Sequence, residues 1–142
     1  MTAQRILVAD PNGAVRTLLS LVLQEKEYVL AFSADGEEAL GHAIVDPPDL
    51  LITELRLERL DGVALCEQLK RDPRTRSARV LFLTTSTSEW DLRRAIRAGG
   101  EAYITKPFSP KVLLRQVDEL LNRDGSAEEA QEPRARGQER RA

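Results

Sequence analysis

Apolar residues gather in five short runs: Ile6-Leu7-Val8-Ala9, Val29-Leu30-Ala31-Phe32, Leu50-Leu51-Ile52, Val80-Leu81-Phe82-Leu83 and Ala102-Tyr103-Ile104. Four of them hardly alternate with polar residues, which is how strands covered on both faces read. Between the runs the spacing becomes helical. Val15, Leu18, Leu19, Val22 and Leu23 make one stripe, and Leu113, Val117, Leu120 and Leu121 make another. Strand and helix therefore alternate five times. That order predicts an α/β fold, a doubly wound, five-stranded parallel sheet with helices on both sides.

Local punctuation agrees. Ser86-Thr87-Ser88-Glu89 has the Ser-x-x-Glu form of a capping box, and Ser109-Pro110 offers an N-cap followed by proline at the first helical position. Gly99-Gly100 closes the helix of Leu92, Ala95 and Ile96, while Asp35-Gly36 and Asp61-Gly62 mark two loop-to-helix junctions. After Asn122 the pattern stops. Residues 123–142 lack large apolar side chains and mix both charges, so they predict a disordered polar tail or linker beyond a domain of residues 1–122.

With 142 residues the chain suits one domain with a real core. A net charge of -2 gives no broad footprint for nucleic acid or a membrane surface, and no segment reads as a signal peptide or a span. A cytoplasmic protein that contacts neither directly is the default expectation. The single cysteine, Cys66, lies in a helical pattern and reads as a half-buried structural thiol. The single histidine, His42, reads as a surface residue, which excludes a histidine-based triad or metal site by count.

Open α/β sheets bind ligands outside the carboxyl ends of their strands. Asp10 follows the first run, Glu54 the third, Thr84 the fourth and Lys106 the fifth. Two acids, a hydroxyl and an amine on one edge suit a divalent cation and a phosphoryl group.

These motifs resemble the receiver domain of bacterial two-component response regulators, over residues 4 to about 122. ILVAD is similar to the family's first strand and acidic site. PDLLITELRLERLDG, from Pro48 to Gly62, is similar to the acceptor segment, FLTT to the switch-threonine strand and AGGEAYITKPF to the lysine segment. The resemblance implies a flavodoxin-like (βα)5 fold that takes phosphate from a histidine kinase on an acceptor at position 54. It further implies a cis Lys106-Pro107 bond. Its output would pass through Thr84 and Tyr103 to a face formed by the fourth helix, fifth strand and fifth helix, which would bind a kinase or an output protein. On that face Trp90, Leu92 and Arg94 are the candidate interface residues, although a tryptophan folded over the core edge is the commoner outcome.

Four residues depart from the family pattern. Glu54 stands where the acceptor aspartate belongs, Pro11 replaces the second acid, Glu58 replaces a loop proline, and Thr85 follows the switch threonine where a small residue is common. Glu54 carries its carboxylate about one C–C bond (~1.5 Å) further out, and a misplacement near 1 Å can slow a reaction roughly a hundredfold. Asp10 alone is expected to hold Mg²⁺ weakly, so no cofactor is assigned. Glu54 is expected to contact Lys106 and Thr84 in place of phosphate. Arg56 is either a second internal counter-ion or a solvated loop residue, and Thr85 either narrows access or is an ordinary strand-end threonine.

The leading reading is a receiver-like signalling and interaction module, not an enzyme, that has left conventional phosphorylation behind: a pseudo-receiver. One alternative is an ordinary Mg²⁺-dependent phospho-acceptor in which Glu54 is a phosphomimetic substitution. Another is a small hydrolase or nucleotide-binding enzyme on the same fold, but Asp10-Pro11-Asn12-Gly13 lacks a Gly-rich phosphate loop.

Overall fold

The computed structural model describes residues 3–122; the tail expected over residues 123–142 lies outside them. Five strands and five helices alternate: β1 (Arg5–Ala9), α1 (Gly13–Leu23), β2 (Val29–Ser33), α2 (Gly36–Val45), β3 (Leu50–Thr53), α3 (Gly62–Arg71), β4 (Arg79–Thr84), α4 (Glu89–Arg97), β5 (Ala102–Thr105) and α5 (Pro110–Asn122). The strands form one parallel sheet in the order β2-β1-β3-β4-β5. Chain order reverses at β1, whose neighbours are β2 and β3. The crevice beyond the carboxyl ends of β1 and β3 is thus the switch point at which such sheets bind ligands.

Alternation along each strand divides the core in two. Leu7, Ala9, Leu51, Val80, Phe82 and Tyr103 face α2, α3 and α4, where Ala39, Leu65, Cys66, Leu69 and Ala95 meet them. Ile6, Val8, Ile52, Leu81, Leu83 and Ile104 face α1 and α5, where they meet Leu19, Leu23, Leu113, Val117 and Leu120. The unbroken apolar runs are explained: a central strand is covered on both sides, so neither parity needs to be polar. β2, at the sheet edge, is covered less completely, and its Val29 is exposed.

Expectation and structure differ in a few places. Leu18 is exposed, because Val15, Leu19, Val22 and Leu23 already fill the contact with the sheet and Leu18 falls on the flank of that stripe. The cap of α4 is Ser88, whose side chain accepts the Asp91 N–H, and not Ser86. Ser86 stays in the extended loop because its hydroxyl donates to the Asp91 side chain instead. Cys66 is fully buried, not half-buried; burial is the main reason its thiol pKa is pushed up to about 12. The other junctions match: Asp35 and Asp61 cap α2 and α3, and Ser109 Oγ accepts the Val112 N–H at the start of α5.

Candidate functional site

The sheet ladder delivers the site residues one step beyond its last strand positions. The Asp10 N–H donates to the Ser33 carbonyl, the Glu54 N–H to the Ala9 carbonyl, and the Lys106 N–H to the Thr84 carbonyl. Backbone pairing therefore fixes where each side chain begins. Close packing fixes the rest. A Cβ on Gly62 would lie 2.2 Å from the Glu54 carbonyl oxygen, so only glycine lets α3 approach residue 54 this closely. The Lys106-Pro107 bond is cis.

The structure brings Asp10, Glu54, Thr84 and Lys106 together, and all four are largely shielded from water. Lys106 Nζ lies 2.7 Å from Asp10 Oδ2 and 2.9 Å from Glu54 Oε1. The other Glu54 oxygen, Oε2, accepts the Thr84 hydroxyl and also the Leu55 N–H, the latter at 2.7 Å. The Arg56 N–H reaches the same oxygen more loosely, at 3.4 Å. Asp10 Oδ1 accepts the Asn12 N–H at 2.9 Å, and the Asp10 carbonyl accepts from Arg16 Nη1 at 2.7 Å. Every carboxylate oxygen in the cluster therefore has a donor inside the protein.

The electrostatics follow from these contacts. Burial alone would raise the Glu54 pKa, but the donors Thr84, Lys106 and Leu55 outweigh it and hold the carboxyl below its ordinary value. Burial would likewise lower the Lys106 pKa, and its hydrogen bonds to Asp10 and Glu54 reverse that, raising it. Both groups are charged at neutral pH, as a buried ion pair must be to offset its desolvation.

Other candidate residues sit elsewhere. Arg56 does not pair with Glu54 through its side chain; that side chain is mostly exposed and reaches Asp91 Oδ2 at 3.3 Å. Tyr103 is buried, and its hydroxyl donates to the Ser86 carbonyl at 3.2 Å. Trp90 does not fold over the core edge. It is 67 % exposed on the first turn of α4, because the inward positions there belong to Asp91 and Leu92. Leu92 is half-buried against the core, and Arg94 turns inward to Asp91 and Asp61. Of the three proposed interface residues, only Trp90 is openly displayed. Thr85, Glu58 and His42 are exposed.

Sequence reasoning missed three contributors. Asn12 caps α1 by accepting from the Ala14 and Val15 N–H groups, a role that an asparagine before Gly13 signals. Arg16 and Asp91 carried no such signal, since their partners come from tertiary contacts. Among the described residues no group of three or more His, Cys, Asp or Glu is arranged to hold a metal, and no helix is long and apolar enough to cross a membrane.

Known proteins resemble this chain in sequence and in fold. Residues 6–118 match the family model for the response regulator receiver domain. The chain is 35% identical over 120 residues to the alkaline phosphatase synthesis transcriptional regulatory protein PhoP of Bacillus subtilis (strain 168), covering 84% of this chain and 49% of that protein. It is 34% identical over 119 residues to the DNA-binding dual master transcriptional regulator RpaA of Synechocystis sp., with 84% and 49% covered. The chain thus spans about half the length of these curated relatives. In structure it is similar to a putative response regulator from Chloroflexus aurantiacus J-10-fl, with a TM-score of 0.81 and 32% identity over 86% of this chain and 100% of that one. It is also similar to the chemotaxis response regulator CheY4 of Vibrio cholerae, with a TM-score of 0.78 and 27% identity over 84% and 100%. Receiver domains are signalling modules that interact with histidine kinases or output domains. With its β1/β3 crevice, its lysine–acid cluster and these relatives in agreement, the chain belongs to the response regulator receiver domain family of two-component signalling.

Proposed function

We propose that this receiver signals without conventional aspartyl phosphorylation, and that the Glu54 carboxylate serves as a built-in stand-in for the phosphoryl group. One observation carries the reading. Both Glu54 oxygens are engaged, one by the Lys106 ammonium and one by the Thr84 hydroxyl. A lysine and a hydroxyl are donors suited to phosphoryl oxygens. Here an intrinsic carboxylate already satisfies them.

The donor set also fits Mg²⁺ poorly. The ion needs open oxygens in near-octahedral array at ~2.0–2.1 Å. Asp10 and Glu54 give theirs to Lys106, Thr84 and backbone N–H groups, and position 11 is a proline with no carboxylate to add. An ammonium placed between the two acids supplies the positive charge that a metal would otherwise bring. Binding of Mg²⁺ is accordingly weak.

Partner recognition then rests on a surface held in one state, with Trp90 as its most exposed large apolar residue on α4. Incubating the chain with acetyl phosphate and Mg²⁺ and recording its intact mass tests the reading. An unchanged mass is expected. A stable gain of one phosphate mapped to residue 54 would contradict it.

A further inference from the structure

In a parallel sheet linked by helices, every strand begins and every helix ends at one edge, opposite the edge that carries Asp10, Glu54, Thr84 and Lys106. That far edge is divided in charge. Beneath β2, β1 and β3, and at the ends of α1, α2 and α5, it displays Glu25, Glu27, Asp46, Asp49, Asp118 and Glu119, all exposed. Among the described residues only Arg5 and Lys26 oppose them, and both are already paired: Arg5 with Asp46 at 3.7 Å, Lys26 with Asp118 at 3.9 Å. The elements are close neighbours here. The Val29 N–H donates to the Gln4 carbonyl at 2.9 Å, and the Gln4 side chain donates to the Leu121 carbonyl at 3.0 Å.

Beneath β4, and at the ends of α3 and α4, the sign reverses. Lys70, Arg71, Arg74, Arg76, Arg79 and Arg97 lie there against Glu67, Asp72 and Glu101. Glu101 is held by Lys70 at 3.0 Å and Arg79 at 3.7 Å, and Asp72 fixes the Arg74 guanidinium with bonds of 3.1 Å and 2.8 Å. Arg71, Arg76 and Arg97 are exposed and have no acidic partner among the described residues. A notch of about 460 Å³ opens at the end of α3, lined by Gln68, Arg71, Asp72, Pro73 and Arg74. Arginine presents a planar fork that grips a carboxylate through two hydrogen bonds.

We infer that this edge is a docking face for a second copy of the chain, related by a two-fold axis so that each acidic half covers the other's arginine half. Opposite charges side by side on one face are self-complementary. Turning a copy over about an axis lying in that face sets acid on base at both ends, and two-fold pairs are the commonest closed assembly. A nucleic acid fits worse. Laid along the edge, a polyanion meets the acidic half, and no exposed aromatic side chain stands among the described arginines to stack a base. The pairing leaves the Glu54 pocket and Trp90 uncovered, since both lie toward the other edge.

Exposed ion pairs are weak singly and are screened by salt, so the dimer is expected to be modest in affinity and salt-sensitive. Sedimentation velocity of the full chain over a concentration series tests this. At about 10 mM salt, where charges are felt over ~30 Å, a monomer–dimer equilibrium is expected; at about 1 M, where that range is ~3 Å, the dissociation constant should rise about tenfold or more. Arg71→Glu with Arg76→Glu abolishes the positive half, and Glu25→Lys with Glu27→Lys abolishes the negative half. Each pair of changes should weaken the dimer about tenfold or more at low salt. Mixing the two variants should recover dimer, because one copy keeps the acids and the other the arginines. Should a variant fail to fold, the salt series on the parent still decides. A parent that stays monomeric up to about 1 mM at low salt overturns the inference, since it excludes a micromolar dissociation constant. So do growth beyond a dimer, indifference to salt, and a mixture no more associated than its components. Charge reversals that shift sedimentation equally at every concentration would assign the face to the chain's own residues 123–142 and overturn it too. Binding of a fluorescent oligonucleotide by a chain that stays monomeric would give the arginines to nucleic acid instead.

Discussion

Lys106 Nζ stands 2.9 Å from Glu54 Oε1 while holding Asp10 Oδ2 at 2.7 Å, so one ammonium bridges two shielded carboxylates. The bridge is asymmetric in what its loss does. Removing the lysine strands two negative charges side by side. Removing the Glu54 charge still leaves Lys106 paired with Asp10.

That asymmetry predicts the order of two stabilities. Lys106→Met should cost about 3–5 kcal/mol, the range for breaking a buried ion pair from one side. Glu54→Gln keeps the shape and the Thr84 contact and should cost about 1–2 kcal/mol. Combining the two should recover part of the Lys106→Met loss, because one of the stranded charges is gone. Urea unfolding at constant m reads all three. A Glu54→Gln loss exceeding that of Lys106→Met contradicts the bridge.

The pH dependence has a worked sign at each end. The folded Glu54 pKa lies below its ordinary 4.5, so its contribution is complete above 4.5 and fades as pH falls through the lower folded value. The folded Lys106 pKa lies above its ordinary 10.5, so its contribution is complete below 10.5 and fades as pH rises through the higher folded value. Between these limits the pair should leave stability flat. In Lys106→Met the acid-side fall should become shallower or reverse, since protonating Glu54 then relieves repulsion. Parallel acid-side curves for variant and parent would count against the account.

Two glycines separate space from conformation. Gly62→Ala should destabilise by about 1–3 kcal/mol, the range for overpacking, because its Cβ would meet the Glu54 carbonyl oxygen at 2.2 Å. Gly41→Ala, in α2 with no heavy atom within 4 Å of the added carbon, should stabilise by about 0.4–1 kcal/mol. Thermal melts of the two variants should move in opposite directions. A shared direction would mean that α3 is not pressed against the acceptor segment.

Much of this site could be read before any coordinates, for a definite reason. Asp10, Glu54, Thr84 and Lys106 each follow an apolar run, and in a parallel sheet the backbone carries strand ends to one edge whatever the loops do. The fold followed from the same periodicity. Side chains whose partners are remote in sequence were not legible. Asp91 looks like an ordinary acid in a first helical turn; its burial depends on Ser86, Arg56 and Arg94 arriving together. Arg94 reads from the sequence as an interface residue beside Trp90 and Leu92, yet it turns inward to two acids. Trp90 shows the converse: size favours burial, but helix phase gives the inward position to its neighbour.

The most direct measurement is a crystal structure grown in excess Mg²⁺. The account predicts the Glu54 carboxylate still seated between Lys106 and Thr84, with no ordered metal beside Asp10. A magnesium ion coordinated by Asp10 and Glu54, with Glu54 swung away from Lys106, would contradict it.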